Sequence, residues 1–181
     1  MSYAQKILPH YTYYDYVQWE GKWELIDGHP IAMSPSPVPK HQRISSRLQY
    51  ELIDALENSH CKKCEVYGPI DYKIEEDTIL QPDILIVCDE ITQKFLDFPP
   101  VLVVEILSPS TALRDRNTKY DIYETQGIRY YLIVDIDKES FELFELKEGK
   151  YVLAEYDFSQ PFGFAFDPAG CGASVTLNNV W

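Results

Sequence analysis

An α/β fold around a mixed central β-sheet, flanked by helices and carrying additional β-hairpins, is what this 181-residue sequence predicts. Three observations lead there. Residues 84–88 (ILIVC), 101–107 (VLVVEIL) and 130–134 (YYLIV) are apolar runs of strand length, the pattern of strands buried on both faces. Helical stretches, 40–58 and 115–126, are interleaved with strands, as a layered α/β fold requires. Asp27-Gly28 and Lys147-Glu148-Gly149-Lys150 are hairpin turns. The length suits one domain, taken as 1–181, and no repeat or linker divides it.

Along the chain, Thr12-Tyr13-Tyr14-Asp15 resembles a capping box with Asp for Glu, opening a short helix to about Trp19. Residues 23–26 read as a strand, and Ile31-Ala32-Met33 as its return beyond Asp27-Gly28. Pro30 confines that return to a sheet edge or a first strand position. The Pro-rich residues 34–39 form an extended connector. Over 40–58, Ile44, Leu48, Leu52, Ile53 and Leu56 make one apolar stripe, with His41, Gln42 and Arg43 in the first turn. Residues 65–68 and 70–74 are strand-like, with a turn at 75–77. Ser108, Pro109, Ser110 and Thr111 break the chain before the second helix, which Gly127 closes. Residues 141–146 and 151–155 form the last hairpin, and the chain beyond Tyr156 is irregular.

Composition narrows the function. No apolar run approaches the ~18–20 residues that span a bilayer, and the N-terminus lacks the layout of a signal peptide, so a soluble, cytoplasmic protein with no membrane partner is expected. There are 29 acids against 16 bases, a formal charge of −13, which opposes sequence-blind coating of nucleic acid. The charge is uneven. Lys40, Arg43 and Arg47 form one basic segment, and Arg114, Arg116 and Lys119 another. A bound polyanion is expected to meet these two.

The four cysteines give a weak signal. Cys61-Lys62-Lys63-Cys64 is half of a zinc pattern, but Cys88 and Cys171 are far apart and form no second pair. The Cys-x-x-Cys follows a helix and precedes a strand, opposite to a thioredoxin-like redox pair. Reduced thiols are therefore expected, with Cys88 a small core hydrophobe.

Two carboxylates stand where they should not. Asp83 opens one buried strand, and Glu105 lies inside the next. An unpaired ionised carboxylate there costs several kcal/mol, so a shared partner is implied. A hard divalent cation suits them, since Mg²⁺ takes carboxylates and carbonyls and keeps several waters. Asp83, Glu105 and the backbone carbonyl of Ile106 are the expected ligands of Mg²⁺ or Mn²⁺. The alternative is a buried ion pair to Arg or Lys.

These residues carry a resemblance. Pro82-Asp83 followed by Glu105-Ile106-Leu107 is similar to the signature of the PD-(D/E)xK nuclease superfamily. More closely, residues 23–28 (WELIDG), Gln81-Pro82-Asp83 and 103–119 (VVEILSPSTALRDRNTK), with Tyr123, Gly127 and 130–135, resemble the Uma2 restriction-endonuclease family over residues 12–146. The resemblance implies a restriction-endonuclease-like fold, a nucleic acid substrate (DNA or RNA) and phosphodiester hydrolysis at a bound metal. The sequence departs from the superfamily at the lysine slot, which Leu107 occupies. In Uma2 the role passes to the following helix, here Lys119, whose long stem reaches from a neighbouring element. Lys119 alternatively pairs with Asp115 one turn away.

Glu24, His41 and Arg116 complete the candidates. Glu24 is a further ligand or a solvent-facing strand residue, His41 a phosphate or proton contact or a surface histidine, and Arg116 a phosphate contact. A non-catalytic binding or interaction module on the same fold is the rival function. A homodimer through the aromatic tail (Phe158, Phe162, Phe164, Phe166, Trp181) competes with packing of that tail on its own domain.

Overall fold

The computed structural model describes residues 9–33, 38–109, 111–167 and 170–181. Most of the Pro-rich connector (34–37) and Ser110 lie outside them. Helix α1 (Tyr13–Tyr16) is shorter than expected, but its capping box forms, with the Thr12 N–H donating to Asp15 Oδ2 at 2.9 Å. Strands β1 (Trp23–Ile26) and β2 (His29–Ala32) flank a turn in which Asp27 and Gly28 both take positive φ, 48° and 72°. That is the two-residue turn matched to strand twist. Pro30 is tolerated because β2 is the edge of an antiparallel sheet ordered β2-β1-β5-β4, with β4 Tyr72–Glu75 and β5 Thr78–Leu80. β5, a three-residue strand inside a hairpin, has no separate signature in the sequence.

The main sheet has six strands in the order β10-β9-β8-β7-β6-β3. They are β3 Glu65–Tyr67, β6 Ile84–Val87, β7 Leu102–Ile106, β8 Tyr130–Asp135, β9 Ser140–Lys147 and β10 Lys150–Leu153. Only β7 and β8 are parallel, so the sheet is mixed, as expected. Every residue of β6, β7 and β8 is buried. Strand alternation explains this. Ile84, Ile86, Leu102, Val104, Leu132 and Val134 pack under α2 (Pro39–Glu57), while Leu85, Val103, Tyr131 and Ile133 face Tyr123 and Tyr72.

Helix α2 begins with Pro39 at its first turn, where a missing N–H costs nothing. Its buried face is His41, Ile44, Ser45, Leu48, Leu52 and Leu56, and Ile53 is exposed. The expected second helix is compound. A short α3 (Ala112–Arg114) leads into a π-helical turn (Asp115–Lys119) and then α4 (Tyr120–Thr125). The chain after Tyr156 is not irregular throughout. It forms a third, two-stranded sheet, β11 (Phe162–Ala165) with β12 (Gly172–Val175), and a closing 3₁₀ turn, Leu177–Val180. Its aromatics pack on their own domain: Phe164 and Phe166 are core, with Phe158, Phe162 and Trp181 against it. Among the described residues no helix is long and apolar enough to cross a membrane.

Candidate active site

Register brings the two anomalous carboxylates together. Strands β6 and β7 are antiparallel, with Ile84 opposite Val104, so Asp83, one residue before β6, lies beside Glu105. Asp83 Oδ2 accepts the Ile106 N–H at 2.8 Å, which fixes its carboxylate to the strand that bears Glu105. From α2, His41 Nε2 reaches both Asp83 Oδ2 (3.3 Å) and the Ile106 carbonyl (3.1 Å). His41 is therefore a buried member of the site and not a surface histidine. Burial opposes its proton, but hydrogen bonding and charge from Asp83 outweigh burial and raise its pKa above 6.5.

Alternation turns Glu105 away from the face of Val104 and Ile106 that packs under α2, toward the compound helix. Lys119 Nζ lies 2.8 Å from Glu105 Oε1, 2.7 Å from Glu24 Oε1 and 3.6 Å from Asp115 Oδ1. Its side chain is only 2% exposed. The i,i+4 contact of Lys119 with Asp115 exists, but the shorter contacts are to Glu24 and Glu105. Tyr123 OH donates to Glu105 Oε1 at 2.7 Å. Arg114 Nη2 lies 3.1 Å from Glu24 Oε2, and the Gln81 N–H donates to Glu24 Oε1 at 3.0 Å. Glu24 is thus fully buried within the cluster and not solvent-facing.

The electrostatics follow. Burial is the largest influence on Glu105 and drives its pKa well up against the pull of Lys119; nearby Asp115, Asp83 and Glu24 add to the rise. Burial also raises Asp115, against Lys119 and Arg114. For Lys119 burial works toward loss of the proton, yet three carboxylates overcome it and raise its pKa. Tyr123 is raised by burial and by Glu105, so it remains a donor. Four carboxyl groups (Glu24, Asp83, Glu105, Asp115) thus gather around Arg114, Lys119 and His41, one more acidic group than basic ones. Glu24 Oε2 and Asp115 Oδ1 are buried without a hydrogen bond. Such a donor set fits a hard cation held by one or two carboxylates and water.

Arg116 has other partners, Glu142 on β9 and Asp135 on β8. The second expected basic segment is paired with carboxylates of its own fold, whereas the first stays at the surface. Lys40 meets Glu139, Arg47 donates to the Val180 and Trp181 carbonyls, Arg114 and Lys119 meet the cluster, and Arg43 is exposed.

The family model for Uma2, described as "Putative restriction endonuclease", matches residues 13–165. The chain belongs to the Uma2 family. Protein slr1290 of Synechocystis sp., itself uncharacterized, is 31% identical over 156 residues, covering 80% of each chain. A solved "putative nuclease belonging to DUF820" from Anabaena variabilis shares the fold, with TM-score 0.69 at 16% identity over 93% of this chain and 98% of that one. This Uma2 chain therefore has the α/β architecture that its buried strands and its motif resemblance implied.

Three members of the cluster were missed as site residues: Arg114, Asp115 and Tyr123. Tyr123 had a visible signal, since it stands four residues after Lys119 and shares its helix face. His41 had one too, being in phase with Ser45, Leu48 and Leu52 on the buried stripe of α2.

Proposed function

We propose that this chain is a divalent-metal-dependent nuclease, hydrolysing phosphodiester bonds of DNA or RNA in the cytoplasm, with Asp83 and Glu105 as ligands of Mg²⁺ or Mn²⁺. The observation that carries this is the excess of buried carboxylate over cation where β6 begins and β7 ends. A bound divalent ion would supply polarisation of the phosphate and a water of lowered pKa. The chain's own groups do the rest. The Ile106 N–H and His41 hold Asp83 in place, while the Ile106 carbonyl keeps a second lone pair beside His41 for a further ligand. Tyr123 and Lys119 orient Glu105. Lys119 supplies a charge set in place before reaction, the role that the Leu107 slot cannot fill. Asp83 and Arg114 keep partial exposure (19% and 16% of their side chains), which supports entry of a phosphate from their side.

The net charge of −13 and the internal pairing of Arg114, Arg116 and Lys119 favour a substrate that is short, structured or delivered by a partner over long duplex held by charge alone. A two-fold dimer would present two sites to two strands; a light-scattering mass near 21.0 kDa removes that part of the proposal.

The deciding experiment is cleavage of duplex, single-stranded and branched DNA, and of RNA, with and without Mg²⁺ or Mn²⁺, by wild type and Asp83→Ala. Metal-dependent cleavage by wild type only is expected. Equal activity of both proteins overturns the proposal. So does calorimetry showing no divalent binding, the outcome expected of a non-catalytic module on this fold.

A further inference from the structure

The four cysteines do not stay apart as the sequence implied. Strands β3 and β6 pair with Glu65 opposite Val87, and the same register sets Cys64 opposite Cys88. Cys171 lies just before β12, opposite Phe166, whose N–H donates to the Cys171 carbonyl at 2.7 Å. The hairpin thereby delivers a fourth sulfur to the Cys-x-x-Cys loop. In the structure the sulfurs are joined pairwise, Cys61 to Cys171 and Cys64 to Cys88. The expectation of four separate thiols fails because sheet register and the late hairpin, neither visible in spacing, converge on one point.

These are not two independent cross-links. Sγ of Cys64 and Sγ of Cys171 belong to different bridges yet lie 3.2 Å apart. The sulfurs of Cys61, Cys64 and Cys171 all fall within 4.8 Å of one another, and Cys88 is bonded to one of them. In a tetrahedral zinc centre with Zn–S near 2.3 Å, neighbouring sulfurs are about 3.8 Å apart. An ion at the centre therefore requires the atoms of each bridge to separate by only about 2 Å. Both sulfurs of the Cys61–Cys64 loop aim at the same point, which two cross-links do not need and four ligands of one ion do.

We propose that Cys61, Cys64, Cys88 and Cys171, as thiolates, form a Zn²⁺ site that clamps the β11–β12 hairpin to the β3–β6 edge of the main sheet. Four protein thiolates close the coordination sphere, which marks a structural centre with no open position for substrate. Zinc with four thiolates carries two net negative charges, and Lys62 and Lys63 stand inside the loop that holds it. Lys63 also pairs with Asp167 in the hairpin loop, and Asp167 Oδ1 accepts the Cys171 N–H at 3.0 Å, so both sides of the clamp are tied together. Cys61 and Cys64 are buried, with Cys88 and Cys171 packed at the rim of the α2-side core. Conversion from the pairwise-bonded form is balanced by a dithiol. Each S–S bond takes two electrons and two protons from one dithiol, which becomes its own disulfide, and the four thiols release four protons as zinc binds.

The test is metal analysis of the full chain prepared anaerobically in excess dithiol, followed by exchange with Co²⁺. One zinc per chain is expected, then sulfur-to-cobalt charge-transfer absorption with the visible bands of a tetrahedral thiolate. Cys171→Ser should weaken Co²⁺ binding at least tenfold, and Asp83→Ala should leave the spectrum unchanged, which separates this centre from the oxygen site. Fully reduced wild type with four titratable thiols and no cobalt–thiolate spectrum overturns the proposal. Retention of both disulfides in excess dithiol, without metal, overturns it equally, and neither outcome depends on a variant folding.

Discussion

Strand β6 begins at an oxygen-rich cluster, with Asp83, and ends at a sulfur-rich one, with Cys88, about 16 Å away along an extended chain. The oxygen end mixes charges in a nearly dry space: Glu24, Glu105, Asp115 and Lys119 are each at most 3% exposed. It is held by hydrogen bonds and ion pairs in which acidic groups outnumber basic ones. The sulfur end joins three distant segments of chain with no catalytic group beside it. Hard ligands with an incomplete set of partners suit a centre that must bind and release. Soft ligands that saturate one another suit a permanent clamp. One strand thus carries two polar centres with opposite demands.

The largest test of this contrast is Lys119→Ala. Removing one partner from a buried charge cluster typically costs about 3–5 kcal/mol, to be read from urea unfolding. Mg²⁺ should restore part of that loss in the variant, because it neutralises the same carboxylates. If the deficit is the same with and without Mg²⁺, the oxygen end is only a structural ion-pair network. In single-turnover cleavage at saturating Mg²⁺, the same variant should be slower by about 10²–10³, the usual consequence of losing one preorganised charge. A rate equal to wild type would remove Lys119 from the chemistry.

Tyr123→Phe deletes one donor to Glu105 and keeps the ring. A loss of about 1.5–3 kcal/mol is expected, as for hydrogen bonds to charged groups, with the unfolding midpoint as readout. His41 gives a pH signature in metal-free protein. Its raised pKa means that the pair with Asp83 stabilises the fold fully below the unfolded value near 6.5 and ceases to do so as pH rises through the folded value. NMR titration should place the imidazole midpoint above 6.5. Asp83→Asn should bring it down, since burial is then opposed only by the Ile106 carbonyl and the charge of Asp115. The smallest effect concerns coupling. The unfolding free energies of Asp83→Ala and Cys171→Ser should add within about 0.3–0.5 kcal/mol, as distant sites do. A larger departure would show the two ends to be one cooperative unit.

The two ends also differ in how far the sequence reveals them. Asp83 and Glu105 declare themselves because a carboxylate inside an apolar strand needs a partner. Lys119 is legible through the motif and the reach of its stem, and the same logic extends to Tyr123 one turn on. Asp115 is legible only as the i,i+4 partner of Lys119, and Arg114 is not, because its partner Glu24 lies on a distant hairpin that spacing does not reveal. The central strands and α2 follow from their patterns almost to the residue. Strand β5 and the β11–β12 hairpin do not, being short and interrupted by Gly and Pro. The sulfur centre is hidden for a different reason. That Cys64 faces Cys88 depends on a pairing register between strands separated along the chain by the β4–β5 hairpin, and spacing along the chain carries no trace of it.

The π-helical turn at Asp115–Lys119 has a consequence for how the site is gained or lost. Such a turn is commonly an α-helix carrying one extra residue, and one residue of helix is about 100° of rotation. Deleting a single residue there, Asn117 for example, should restore an ordinary helix and swing Arg114 and Lys119 out of their common alignment. The apolar contacts of Tyr123 with the sheet remain available to hold the helix down. A frame-preserving loss of one codon can thus uncouple the fold from its charge cluster, which makes this turn a single-step boundary between a chain able to assemble the site and one that keeps only the scaffold.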